Sequence, residues 1–220
     1  MPSAAEAHIR RRRDAVRILH ILHQAGEDVR SRRGDVPATA VKVVKAEKRL
    51  QALDFWVRNP DYLAHELLNQ YERDRDPELL RLAAEVMDGD EPDVRRLGML
   101  RFFFGAFERV HDAVATLKTV GLADVRARFK GNPARLSHRD FYLLEAGAAK
   151  AVELANDDVL RWYADRAVLV ARVAGDRSGD ALKDAQYGVD RYEGTRWGQI
   201  IAPIRDEVRA RLDELKRAAT

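Results

Sequence analysis

Residues 120–151, VGLADVRARFKGNPARLSHRDFYLLEAGAAKA, are where an otherwise helical pattern breaks. Leu122 ends the preceding apolar periodicity, and Ala123, Val125, Ala127 and Phe129 then alternate with Asp124, Arg126 and Arg128. A period of two puts the apolar set on one face of a strand and the charged set on the other. The following GNP supplies strong turn chemistry, and RDFYLLEAG gives a second short run, rich in aromatics, that passes into a small helix at EAGAAKAVEL. A two-stranded hairpin is marginal by itself and needs helices over its apolar face. The expected fold is therefore mainly α, with one small β-hairpin embedded in a larger helical protein.

The flanking sequence supplies helices in plenty. Val16, Leu19, Ile21, Leu22 and Ala25 share most of one helical face, with Gly26 as a natural stop. A polar connector follows, and a second helix is predicted over 39–57. Asn59-Pro60-Asp61 closes that helix and opens the next, with Asn59 as cap, Pro60 in the first turn, and Tyr62, Leu63, Leu67 and Tyr71 inward. DPELLRLAAEVM repeats the device. The acidic DGDEPD at 88–93 is the best internal boundary. Beyond it, helices are expected over 94–104 and 106–120, joined by a tight turn at Gly105, and again over 157–174, 178–192 and 204–218. The predicted regions are 1–87, helical with room for a second helix-turn-helix unit; 94–155, containing the hairpin; and 156–220, helical and available for dimerisation.

The 220 residues contain no cysteine, which removes disulfides, thiolate nucleophiles and zinc–cysteine sites together. The apolar stretches are short and broken by charge, so no membrane span and no secretory leader are predicted, and a soluble cytoplasmic protein is expected. A net charge of +3, with arginine dominating the basic set, permits a polyanionic partner without demanding one.

ATLKTVGLADV, the basic stretch after it and FYLLEAGAAKA together resemble the winged-helix superfamily, especially bacterial regulators of the multiple-antibiotic-resistance and phenolic-acid-repressor kinds. In those proteins a recognition helix ends in a Leu…Gly-Leu pattern, a strand and a basic hairpin wing follow, and a Tyr-x-Leu-Thr-x-x-Gly type signature precedes the next helix. Leu144 stands here where the threonine is usual. The likeness covers about residues 94–155. It implies a winged-helix transcriptional regulator that binds double-stranded DNA as a homodimer. Arg109, Thr116 and Lys118 would lie on the reading helix, with Arg126, Arg128, Lys130, Arg135 and Arg139 on the wing. Glu108 and Asp112 on the same helix would repel phosphates, so a winged-helix module for protein–protein assembly is the rival reading.

The remaining chemistry-bearing residues point to no catalytic centre. His20 and His23 have a spacing compatible with a shared metal, but no second ligand element accompanies them, so no metal or cofactor is expected. Ser137, His138 and Asp140 are close in sequence, yet strand neighbours face opposite ways, so Ser137 and His138 are not expected to converge. No phosphate-binding glycine loop or nucleophile elbow is present, and the protein is predicted not to be an enzyme. The run of four arginines at 10–13 reads equally as a solvated helix start or a nucleic-acid arm. Ile204, Val208, Leu212 and Leu215 form an apolar stripe that either pairs two copies or packs on its own chain, with Tyr187, Tyr192 and Trp197 as added apolar area. No feature names a small-molecule effector.

Overall fold

The computed structural model describes residues 4–31, 34–89, 101–102, 105–106, 110–188 and 203–219. In chain order the elements are α1 (Ala4–Ala25), β1 (Glu27–Asp28), β2 (Ala40–Lys45), α2 (Glu47–Arg58), α3 (Pro60–Asp74) and α4 (Pro77–Asp88). Then come β3 (Arg101–Phe102), β4 (Gly105–Ala106), α5 (Val110–Thr119), β5 (Ala123–Lys130), β6 (Arg135–Leu144), α6 (Glu145–Leu154), α7 (Arg161–Ala174), α8 (Gly179–Tyr187) and α9 (Arg205–Ala218). No helix among the described residues is long and apolar enough to cross a membrane. Contacts divide the chain into two units, Met1–Asp54 with Glu108–Asp180 and Phe55–Phe107 with Ala181–Thr220. The segments of the two units therefore alternate along the sequence. The boundary expected at 88–93 lies largely outside the described residues.

In the first unit, α1 lies at the centre, packed against α5, α6 and α7 and against strands β2 and β6. Ile18, Leu19, Ile21 and Leu22 are almost completely buried, and each such side chain contributes on the order of 1.5–3 kcal/mol of apolar transfer. The same helix buries a guanidinium. Arg17 Nε is 2.6 Å from Asp54 Oδ1 of α2, and Arg17 also pairs with Asp14.

Four antiparallel strands run in the order β1-β2-β6-β5. The hairpin is as the alternation predicts, with Ala123 opposite Leu143 and Val125 opposite Phe141. The predicted helix over 39–57 is corrected. Residues 40–45, AVKVVK, form β2, and α2 begins only at Glu47. Three valines favour extended backbone, and pairing with β6 buries Ala40, Val43 and Val44. Ala46, at a φ of 65°, turns the chain from strand to helix.

Two glycines have defined jobs here. Gly121, at a φ of 71°, follows α5, and the Leu122 N–H donates to the Leu117 carbonyl at 2.9 Å, which closes the helix end and sends the chain into β5. At Gly147 a Cβ would lie 2.1 Å from the Leu122 carbonyl oxygen, so α6 sits directly on the entry to β5.

In the second unit, α4 and α9 pack on α3, and on each other. Tyr62, Leu63, Leu67 and Tyr71 are buried, as the spacing predicts. Asp76 caps α4, accepting from the Glu78 N–H at 2.9 Å ahead of Pro77. Asn59 occupies the cap position of α3 but makes no side-chain capping bond there: its amide donates to the Phe55 carbonyl at 2.7 Å and closes α2. Asp61 Oδ2 accepts from the Ile204 N–H at 2.8 Å at the start of α9, while Arg205 and Arg209 of α9 donate to the Met87 carbonyl at the end of α4, at 2.6 and 3.1 Å. The expected helix–turn–helix around Gly105 is also corrected. Arg101 pairs with Ala106 and Phe102 with Gly105 in a short two-stranded hairpin, consistent with the extended preference of an aromatic run beside glycine. Residues 94–100 lie outside the described residues.

Candidate nucleic-acid interface

The element order α5, β5, basic loop, β6, α6 builds a helix followed by a projecting ribbon. Val110, Ala113, Val114 and Leu117 hold α5 to the core. Its outward side carries His111, Asp112, Ala115, Lys118 and Thr119, all exposed, with Thr116 half-buried. The Thr116 hydroxyl donates to the Asp112 carbonyl at 2.9 Å, within its own helix. Arg109 lies outside the described residues.

The hairpin's basic residues are not equivalent. Along its charged face, most of them are matched by carboxylates of the same chain. Asp124 accepts from Lys118 through Oδ1 at 2.8 Å and from Arg126 through Oδ2 at 2.6 Å. Burial pushes the Asp124 carboxyl upward, but the hydrogen bonds from Lys118 and the Val125 N–H and the charge of Arg126 outweigh it and hold the group below its ordinary range. Arg126 Nε also donates to the Asp35 carbonyl at 2.9 Å.

Arg128 sits in a tighter cluster. Its Nε is 2.6 Å from Asp140 Oδ2, and its remaining nitrogens meet Asp35 and the Tyr142 hydroxyl. The hydrogen bond to Asp140 comes first in raising the guanidinium above its usual range, and desolvation raises the Tyr142 phenol. Two carboxylates thus face one guanidinium, so Arg128 presents no spare charge. Arg139 Nη1 lies 3.5 Å from Glu47 Oε2, and Glu47 also meets His111 at 2.8 Å.

Lys130 and Arg135 differ. They pair in register at the end of the ribbon, both are exposed, and neither takes part in an ion pair among the described residues. The five wing residues expected from the sequence therefore resolve into three internally compensated arginines and two free cations at the tip. The carboxylates responsible include Asp35 and Glu47, which lie far away in sequence and carry no local signal of this role.

The expectation that Ser137 and His138 diverge is overturned. The ladder slips between Arg128 and Phe129, with Arg128 opposite His138 and Phe129 opposite Leu136, so Ser137 is an extra residue in β6. That bulge brings Ser137 Oγ within 3.1 Å of His138 Nδ1, while His138 Nε2 lies 3.4 Å from Asp140 Oδ1. Asp140 is already engaged by Arg128 through its other oxygen.

Next to this charged face an open groove of about 1010 Å³ is lined by residues including Glu27, Lys45, Arg49, Asp140 and Arg177. Its wall carries six basic and five acidic side chains, so it offers little net field to an anion. Arg49, half-buried, donates to the Gly175 carbonyl at 2.8 Å and to that of Arg177, and desolvation lowers its pKa. These bonds finish the end of α7.

His20 is fully buried in α1 with neither ring nitrogen hydrogen-bonded, and desolvation lowers its pKa to about 4. It is a core residue. Among the described residues no group of three or more His, Asp or Glu side chains is arranged to hold a metal ion. The C-terminal stripe is also accounted for: Ile204, Val208 and Leu212 are buried in the second unit, where α9 packs on α3 and α4. Tyr192 and Trp197 lie outside the described residues. No protein-family model, no curated protein and no solved structure matches the chain.

Proposed function

We propose that the first unit binds double-stranded DNA, with the β5–β6 hairpin as its wing and the outward side of α5 toward the major groove, and that the protein is a winged-helix transcriptional regulator. The observation that carries this reading is the pair of uncompensated cations, Lys130 and Arg135, at the end of a ribbon that directly follows α5. Small exposed residues on α5, Ala115 and Thr119, leave room for a groove wall to approach. Pairing of two copies belongs to the proposal because helix-turn-helix proteins commonly read two half-sites. With the Ile204 stripe occupied within the chain, that pairing requires another surface.

One observation favours protein–protein assembly as a second reading. Lys118, Arg126, Arg128 and Arg139 are all held by carboxylates of their own chain, and Asp112 adds negative charge to the outward side of α5. Fluorescence anisotropy on a duplex across a salt series separates the two. Each neutralised phosphate contributes about 0.9 to the slope of log affinity against log salt. Lys130→Ala with Arg135→Ala should therefore lower the slope by about 2, and Arg126→Ala should leave it nearly unchanged. No duplex binding by the wild type at low salt would remove the DNA reading and favour assembly.

A further inference from the structure

The apolar face of the hairpin runs beyond the helices that cover its base. Ala123 is buried and Val125 half-buried, but farther along the same alternation Phe129 is 61% exposed. Its register partner Leu136 is 46% exposed. These two side chains stand next to each other at the ribbon's end, immediately behind the free cations Lys130 and Arg135. In a folded protein an exposed aromatic–aliphatic pair beside unpaired cations is an unusual expense unless something covers it.

Resting on the DNA reading above, we infer that Phe129 and Leu136 form a wedge that enters the minor groove and partly unstacks a base step, while Lys130 and Arg135 hold the flanking phosphates. Area argues against a protein occupant. An aromatic side chain buries about 150–250 Å², so two side chains fall well short of the roughly 800 Å² per partner of a stable protein interface. Charge argues for a polyanion, because the uncompensated cations of the wing are at this tip and not along its neutralised shaft. Geometry agrees: strands about 4.8 Å apart present one apolar pair end-on to a groove about 6 Å wide. Apolar wedges of this type kink duplexes by separating adjacent bases.

The test uses the full chain and a duplex carrying 2-aminopurine at successive positions, with donor and acceptor dyes on its ends. The wild type should raise 2-aminopurine fluorescence at one step and shorten the end-to-end distance. Phe129→Ser with Leu136→Ser, both exposed positions, should abolish both signals and weaken binding by roughly tenfold while keeping the salt slope. Lys130→Ala with Arg135→Ala should lower the slope instead. Duplex binding with a normal slope but no fluorescence or distance change overturns the wedge and leaves the DNA reading standing. So does a Phe129→Ser, Leu136→Ser variant that retains both signals, or one that changes the oligomeric state of the free protein in light scattering. Failure of the wild type to bind any duplex overturns wedge and DNA reading together.

Discussion

The two units close their structures by different means. In the second, helix ends are finished by individual hydrogen bonds: Asp76 caps α4 beside Pro77 from within its own turn, while Asp61 serves the start of α9 and Arg205 the end of α4 across 143 and 118 residues of sequence. The first is held by contacts between residues far apart in sequence, with β2 paired to β6, α1 packed on α7, and Arg17 buried against Asp54. Individual hydrogen bonds at helix ends each contribute about 1 kcal/mol and fail separately. A buried long-range closure concentrates several groups in one place, and losing one member strands the rest.

The sharpest way to break that contrast is Asp54→Ala. It removes the buried carboxylate that pairs with Arg17 Nε, and should cost about 3–5 kcal/mol, read as a lower urea midpoint at unchanged slope. A loss below that of a single helix cap would mean that the first unit is not held in this way.

His20 gives the next effect. Its pKa is about 4 in the fold against 6.5 when exposed, so the folded state binds fewer protons between those values. Stability is therefore fully present above about pH 6.5 and falls as the pH drops toward 4, by about 3 kcal/mol in total. His20→Leu should flatten that part of the profile in thermal melts and, by removing a buried donor without a partner, raise stability at neutral pH by about 1–2 kcal/mol. An unchanged pH profile in His20→Leu would assign the acid sensitivity elsewhere.

For the second unit, Asp61→Ala removes the acceptor of the Ile204 N–H and should cost about 2 kcal/mol, with faster amide exchange at Ile204. Asp76→Ala should cost about 1 kcal/mol, detectable as a small midpoint shift. If Asp76→Ala proved more damaging than Asp54→Ala, the comparison between the units would be inverted.

Distance along the sequence explains what could be read from the residues alone. Helices α3, α4 and α9 were legible because Pro60, Pro77 and the spacing of Tyr62, Leu63 and Leu67 speak locally. The hairpin was legible because alternation and GNP are local too. β2 was not: AVKVVK is short enough to continue a helical pattern, and what decides it is Phe141 and Tyr142, strands away in sequence. At the candidate interface, the run of basic residues was visible, but not their cancellation by Asp35, Asp140 and Glu47. Nor did the sequence disclose that a bulge at Ser137 would turn two strand neighbours toward each other. Charge is countable along a chain, whereas its compensation depends on the fold.

The alternation of the two units' segments along the chain also sets a timetable. During synthesis the apolar face of α1 and the open edge of β2 emerge early, but α5, β6 and α7, which cover them, are made only after the second unit's first segment, residues 55–107. At about 5–20 residues per second that interval lasts seconds, long compared with the microseconds in which helices form and chains collapse. The newborn chain consequently passes through a period in which a sticky helix and an unpaired strand wait for partners not yet made. A cell producing this protein must shield that intermediate or lose part of the output to aggregation, a demand on its chaperones imposed by connectivity alone.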